Sequence, residues 1–413
     1  MTSFSESSAL PLAGVRVLSF GSFVAGNIGV LILAGLGAEV VKIETKDRPE
    51  ALRSYAAPEV REVLEPSGVP TTALYAGMTR GLKSISIDMR SAAGQRTFRD
   101  LAQRADVVFE NLGPGKMEAW DCAYPDLVAD NPNLVMVSIS GYGRTGPLAA
   151  YRAYASNINN YLGLTSAWAP DGIHFDFVAA THAANAVIAA LAAVKRGAPG
   201  VWIDLAQTEA GGTLMAPLYL DFLANGRAWG CGPNEVPGAM YSGVVRCLGA
   251  DAWLAIELEE AGDWNTLCAY LDREDLRLAD GWPTSAARSL LQSAVEEWAG
   301  QMTPLQAAIK LQHVGLAAGP VQDGEDLWRD VQLRARGAFV EVVHPDIGLV
   351  EYPGAPHRLG GSSRPSASRG PRLGEYTEAV LGEWLGLGEA EIEALRESGA
   401  VWQPSATPVQ QPE

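Results

Sequence analysis

The chain has 413 residues, 47% of them hydrophobic, with 31 Lys and Arg against 48 Asp and Glu, a formal net charge of −17. That length is ample for a large core, and the apolar content excludes a disordered chain. The negative balance argues against a general nucleic-acid or anionic-membrane binder, because phosphates would be repelled; it leaves room for a small anionic ligand held by a few local cations.

Residues 1–10 are polar, carry Glu6 and no basic residue, and do not read as a signal peptide. Residues 15–20 then read as a strand, 26–36 as a helix and 39–43 as a second strand. Strands follow at 84–88, 106–110 and 134–140, with a helix over 92–104 that presents Phe98 and Leu101 on one face. Strand and helix in repetition predict a parallel sheet with crossover helices. The longest apolar run, 177–194, is rich in alanine and interrupted by Thr181, His182 and Asn185. It is expected to be a buried helix rather than a membrane span, which needs about 20 strongly apolar residues. Residues 225–330 read as a smaller α+β unit, and 339–352 as a hairpin turning through His344, Pro345 and Asp346. The tail from Gln403 is expected to be disordered.

The charge divides the chain in the same way. Residues 1–150 hold 14 Lys and Arg against 16 Asp and Glu, whereas 251–300 hold 3 against 11. The middle of the chain is therefore the acidic unit. Cys122, Cys231, Cys247 and Cys268 form no Cys-x-x-Cys pair, and no metal site is expected. Reduced thiols in a cytoplasmic protein are the simplest reading. There is no Walker loop, no nucleophile elbow, and no GxGxxG after the first strand, where the chain reads Gly21-Ser-Phe-Val-Ala-Gly26. The five histidines are scattered, and a lone histidine is more often structural than catalytic.

Read together, several phrases go further. They are Pro11-Leu-Ala-Gly-Val-Arg-Val-Leu18, Leu36-Gly-Ala-Glu-Val-Val-Lys-Ile-Glu44, Lys83-Ser-Ile-Ser-Ile-Asp88 and Ala105-Asp-Val-Val-Phe-Glu-Asn-Leu-Gly-Pro-Gly115. Asn131-Pro-Asn-Leu134, Ser140-Gly-Tyr-Gly-Arg-Thr-Gly-Pro147, Val314-Gly-Leu-Ala-Ala-Gly-Pro-Val321, Gln332-Leu-Arg-Ala-Arg-Gly337 and Gly374-Glu-Tyr-Thr377 follow in order. Over about residues 11–400 the chain resembles the family III CoA-transferases, the group that includes formyl-CoA transferase, carnitine CoA-transferases and α-methylacyl-CoA racemase.

The resemblance implies an α/β fold: a Rossmann-like large domain from both chain ends (1–215 and 335–402), a smaller α+β middle domain (225–330), and two chains threaded into an interlocked dimer. It implies no cofactor beyond the CoA thioester substrate. The family nucleophile is an aspartate whose carboxylate attacks an acyl-CoA thioester. Counting back from Gly200-Val-Trp-Ile-Asp204 places it at Asp176, where the plain alternative is a helix cap. Anchoring instead on the helix residues 183–191 places His182 there, and a histidine could not form the anhydride. Candidates for CoA contacts are Lys42, Lys46, Arg80, Lys83, Arg90, Asn111 and Arg152, each otherwise a surface polar group.

The sequence departs from the family at several points. Thr45 and Ala119 stand where members carry basic residues, Asn27 stands for a proline, and 153–155 read Ala-Tyr-Ala. Each lost cation removes a charge-assisted contact to phosphate. The expectation is therefore a degenerate subunit whose homologous partner carries the nucleophile. Heteromeric members such as benzylsuccinate CoA-transferase offer the model. The 11 Trp and the apolar 215–222 stretch would suit an aryl acid, although such residues are more often core. An active homodimer using Asp176 and a non-enzymatic scaffold are the alternatives.

Overall fold

The computed structural model describes residues 10–54, 62–167, 172–228, 238–359 and 368–404, with 234 and 236. Cys231 and the end of the expected tail, 405–413, lie outside the described residues. The chain divides into two compact units. The larger takes 1–165, 169–219 and 337–413, and the smaller 166–168 and 220–336.

The large unit is built on β1 (Arg16–Phe20), β2 (Glu39–Glu44), β3 (Lys83–Ile87), β4 (Val107–Glu110), β5 (Val135–Ser140), β6 (Val201–Ala206) and a terminal β12 (Val401–Trp402). Their order in the sheet is β12-β3-β2-β1-β4-β5-β6. All neighbours are parallel except β12, which runs antiparallel to β3 with Val401 opposite Ile87. Both ends of the chain thus contribute to one sheet.

Successive residues of a strand face opposite layers, and both layers here are apolar. Val17, Val40, Val107, Phe109 and Val135 pack beneath α1 (Phe23–Gly35) and α3 (His174–Lys195). Leu18, Val41, Ile85 and Val108 face α2 (Ala92–Ala102), through Phe98 and Leu101, and the helix α8 (Thr377–Leu385) near the C-terminus, through Val380 and Trp384. Helix α1 lies close on the sheet because Gly29 has no Cβ; one built there would stand 2.4 Å from the Phe109 ring.

The expectation of a buried helix over 177–194 holds for one face only. Phe175, Ala179, Ala180, Ala183, Ala184 and Val187 are buried, while Phe177, Thr181, His182 and Asn185 are exposed. The helix lies on one side of the sheet, and its opposite face is left uncovered by the described residues.

A buried ionic cluster ties the segment at 371–374 to the first half of the chain. The Arg53 guanidinium, itself inaccessible, donates to both Glu44 oxygens at 2.8 and 3.0 Å, to Glu65 at 2.7 Å and to the Tyr75 hydroxyl at 2.7 Å. The Leu373 N–H donates to Glu65 at 3.2 Å and the Gly374 N–H to Ser84 at 3.1 Å. Burial alone would raise Glu44, but Arg53 and Lys42 hold it down at about 2. Burial pushes Glu65 up to about 7 against the pull of Arg53.

The small unit has a three-stranded antiparallel sheet of β7 (Tyr241–Arg246), β8 (Trp253–Leu258) and β9 (Ala317–Val321), in the order β9-β8-β7. Helices α5 (Ala261–Tyr270), α6 (Ser285–Ala299) and α7 (Pro304–His313) close a core centred on Leu254, Trp264, Leu267, Leu291 and Leu311. The expected hairpin forms as β10 (Phe339–His344) against β11 (Gly348–Pro353).

Candidate functional site

The order of the sheet reverses between β1 and β4, since β2 lies outside β1 and β5 outside β4. Open α/β sheets bind their ligands at such a point, beyond the carboxyl ends of the strands. Here the chain leaving β1 meets the chain leaving β4. The Ser22 N–H donates to Asn111 Oδ1 at 2.8 Å and the Asn111 amide donates back to the Ser22 carbonyl at 2.9 Å. Gly26 is required beside them, because a Cβ there would stand 2.5 Å from Asn111 Oδ1.

The next residue, Phe23, opens α1 with φ of 52°. A left-handed backbone costs a non-glycine residue on the order of 1–2 kcal/mol. Two hydrogen bonds hold it: its N–H donates to Glu50 at 2.7 Å and its carbonyl accepts from the Asn27 amide at 2.7 Å. Glu50 is in turn paired with Lys42 at 2.9 Å, and the Lys42 ammonium donates to Asn27 Oδ1 and to the Gly21 carbonyl. The start of α1, where a Rossmann fold seats pyrophosphate, is therefore filled by the chain's own carboxylate. The departure at Asn27 belongs to this network.

Asp176 lies in the first turn of α3, where the helix dipole favours a carboxylate. It is half-buried, and burial raises its pKa while a hydrogen bond from Gln207 opposes the rise. The Gln207 Nε2–H donates to Asp176 Oδ1 at 2.6 Å. Gln207 is the first residue of α4 (Gln207–Leu214), immediately after β6. His182, the other aligned candidate, is exposed, and its Nδ1 lies 2.9 Å from the Val178 carbonyl one turn back.

Between these two places Arg144 joins the ends of β4, β5 and β6. Its guanidinium is buried and pairs with Glu110, the last residue of β4, and the Arg144 backbone N–H donates to Asp204 at 3.1 Å. Burial raises the Glu110 pKa, and Arg144 is the main opposing influence. This pair fixes the Gly-Tyr-Gly-Arg loop after β5.

The sequence-flagged cations are dispersed. Lys42 is buried in the Glu50 network. Lys46 stacks over the Trp402 ring at 5.0 Å. The Arg80 guanidinium donates to the Gly77 carbonyl at 2.6 Å, and burial lowers its pKa. Lys83 bridges Glu39 at 2.7 Å and Glu383 at 3.0 Å. Arg90 is exposed between Asp47 and Asp88. Arg152 is exposed and makes no ion pair among the described residues. Of the seven, Asn111 stands at the reversal of the strand order, with the buried Lys42 ammonium nearby on the Gly21 carbonyl.

Gln207, Glu50 and Arg144 went unflagged in the sequence. Only Arg144 had a signal, as part of the Gly-Tyr-Gly-Arg-Thr-Gly-Pro phrase. Gln207 is 31 residues from its partner, and no local pattern marks such a contact.

A parallel sheet reversing at β1 and β4, with a half-buried carboxylate at the head of the long helix, defines the class as an α/β protein of nucleotide-fold architecture. The chain belongs to CoA-transferase family III, whose model matches residues 12–377, and it is a CoA-transferase by that membership. It is 29% identical over 406 residues to the succinyl-CoA–L-malate CoA-transferase alpha subunit of Chloroflexus aurantiacus, covering 94% of this chain and 92% of that one. It is 27% identical to succinyl-CoA:glutarate CoA-transferase of Mus musculus, covering 95% and 91%. The crystal structure of a CAIB/BAIF family protein from Brucella suis superposes with a TM-score of 0.80 at 25% identity, covering 91% of this chain and all of that one.

Proposed function

We propose that this chain moves CoA from succinyl-CoA, or a similar acyl-CoA, to a small organic acid, with Asp176 as the nucleophile. The observation that carries the proposal is the Asp176 carboxylate itself: half-buried, in the first turn of α3, with one oxygen held by Gln207. The names of the malate and glutarate enzymes support a small dicarboxylic acceptor over the aryl acid.

In this reading Asp176 attacks the donor thioester carbonyl and expels CoA thiolate, leaving a mixed anhydride. The thiolate attacks the Asp176 acyl carbon, forming an enzyme-bound thioester and releasing the donor acid. The acceptor carboxylate repeats the exchange, and the product thioester leaves with Asp176 regenerated. A carboxylate suits the task because it is ionised near pH 7 and its anhydride stays reactive. His182 has no part in it.

The test is to incubate the chain with succinyl-CoA, quench with hydroxylamine and locate the hydroxamate by peptide mass. A hydroxamate at Asp176, absent from Asp176→Ala, is the expected result; CoA transfer that survives Asp176→Ala overturns the reading.

A second reading rests on the cations. Lys42, Lys83 and Arg90 are engaged by the chain's own carboxylates, and the Chloroflexus relative is named a subunit. This chain would then be one half of a hetero-oligomer whose homologous partner carries most CoA contacts. Turnover by the purified chain alone argues for the first reading. Turnover that appears only with a co-purifying homologue argues for the second.

A further inference from the structure

The Asp176 carboxylate is held by a neutral partner alone. Among the described residues it forms no ion pair, and its one side-chain hydrogen bond comes from the Gln207 amide to Oδ1. Oδ2 accepts none from the described residues. A cation in that position would hold the carboxylate more tightly but would also withdraw charge from the attacking oxygen. An amide fixes the plane of the carboxylate and leaves Oδ2 to attack.

Gln207 is itself well fixed. It is 8% exposed, it follows directly from β6, and the next residue, Thr208, donates its N–H to the Gly141 carbonyl at 3.0 Å. One turn on, Gly211 lets α4 approach the fully buried Phe175, the residue before Asp176; a Cβ at Gly211 would stand 2.6 Å from that ring. Donor and acceptor thus sit on two helices whose first turns pack together, and the amide arrives already aimed.

We infer that Gln207 is the oxyanion donor for attack at the Asp176 acyl carbon, and that Oδ2 is the attacking oxygen. The inference rests on Asp176 as nucleophile and assigns a role within that site. When Oδ2 attacks the donor thioester, it becomes the bridging oxygen of the anhydride, and Oδ1 becomes the carbonyl oxygen of the Asp176 acyl group. The CoA thiolate then adds to that acyl carbon, and the electron pair of the carbonyl moves onto Oδ1. Gln207 Nε2–H already points at Oδ1 and stabilises the developing charge; collapse of this adduct expels the donor acid. The acceptor carboxylate adds to the same carbon of the enzyme thioester, charge again gathers on Oδ1, and CoA thiolate leaves. Gln207 therefore serves the two steps in which Asp176 is the electrophile. In the two steps in which Asp176 carbon is not attacked, it only holds the group in place.

Removing one preorganised oxyanion donor costs about 10²–10³ in rate. The experiment compares the full-length protein, with any partner that co-purifies, as parent, Gln207→Leu, Gln207→Glu and Asp176→Ala. Gln207→Leu is expected to lower kcat by about 10²–10³ with the KM for succinyl-CoA within about threefold, and to accumulate hydroxylamine-sensitive acyl anhydride at the expense of enzyme-bound CoA. Gln207→Glu places a second carboxylate beside Asp176 and is expected to move the acid limb of the kcat profile to higher pH. A purely structural role would alter thermal stability and protein yield without shifting that limb or the ratio of trapped species. Unchanged kcat in Gln207→Leu, or in Gln207→Glu should the leucine variant not fold, overturns the inference. If Asp176→Ala is inactive while those variants turn over normally, only this inference fails; if Asp176→Ala turns over, the reading beneath it fails.

Discussion

Asn111 and Ser22, 89 residues apart in sequence, exchange two hydrogen bonds of 2.8 and 2.9 Å and so join the turns that leave β4 and β1. The junction stands where the strand order reverses, which is where an α/β sheet offers its ligand crevice. Asn111→Ala leaves a backbone donor and a backbone acceptor unpaired and is expected to cost about 1–3 kcal/mol. It should also raise the KM for the acyl-CoA. Gly26→Ala drives a methyl against the same amide and should weaken binding in the same direction, measured by calorimetry with CoA. Equal affinity in both variants would remove this junction from the site.

Lys42 and Glu50 form a buried ion pair. Removing one partner of such a pair strands the other and costs about 3–5 kcal/mol. Glu50→Ala and Lys42→Met are each expected to lower the midpoint of denaturant unfolding, and Glu50→Ala also frees Phe23 from its left-handed backbone. A Lys42→Met variant with parental stability but lost CoA binding would return Lys42 to the role of a phosphate ligand.

The folded-state pKa of Glu65, about 7, lies above its ordinary 4.5. The folded chain therefore keeps a proton that the unfolded chain releases, and this group's contribution to stability falls as pH rises from about 4.5 to 7, then levels off. Glu44 behaves oppositely: held at about 2, it stabilises the fold above its ordinary value and that stability is lost as pH falls. Glu65→Gln removes the first effect. Its stability relative to the parent is expected to improve between pH 5 and pH 8, by up to on the order of 3 kcal/mol. A difference that stays flat across that range counts against a protonated Glu65.

Arg152 and Lys83 make a paired test. Lys83 is bound to Glu39 and Glu383, and Lys83→Ala should leave the KM for acyl-CoA within about twofold while costing under about 1 kcal/mol of stability. Arg152, exposed and without an ion pair among the described residues, should raise KM by about 10-fold when changed to Ala, with the effect shrinking at high salt. The reverse pattern would exchange their assignments.

The parallel sheet was readable because buried strands announce themselves as short apolar runs between helical patterns. The strand expected at 15–20 is β1 at Arg16–Phe20, and that at 134–140 is β5 at Val135–Ser140. The two-residue β12 was not readable, since Val401 and Trp402 form a strand only by pairing with β3. At the site, Asp176 was reached by its spacing from 200–204, with His182 left open beside it. Their surroundings differ: Asp176 is half-buried with a donor, and His182 is exposed with its Nδ1 on the Val178 carbonyl.

The charge of −17 argued against a general nucleic-acid binder, the apolar content excluded a disordered chain, and the ordered phrases pointed to the family that the match over residues 12–377 shows; these depend on composition and local pattern, which a sequence carries whole. Whether a given cation is free does not. Lys42 looked like a surface group until Glu50, Asn27 and the Gly21 carbonyl closed around it, and Gln207 carried no mark until α3 and α4 brought it to Asp176. A side chain's chemistry is set by its partners and its distance from water, and those partners come from remote parts of the chain.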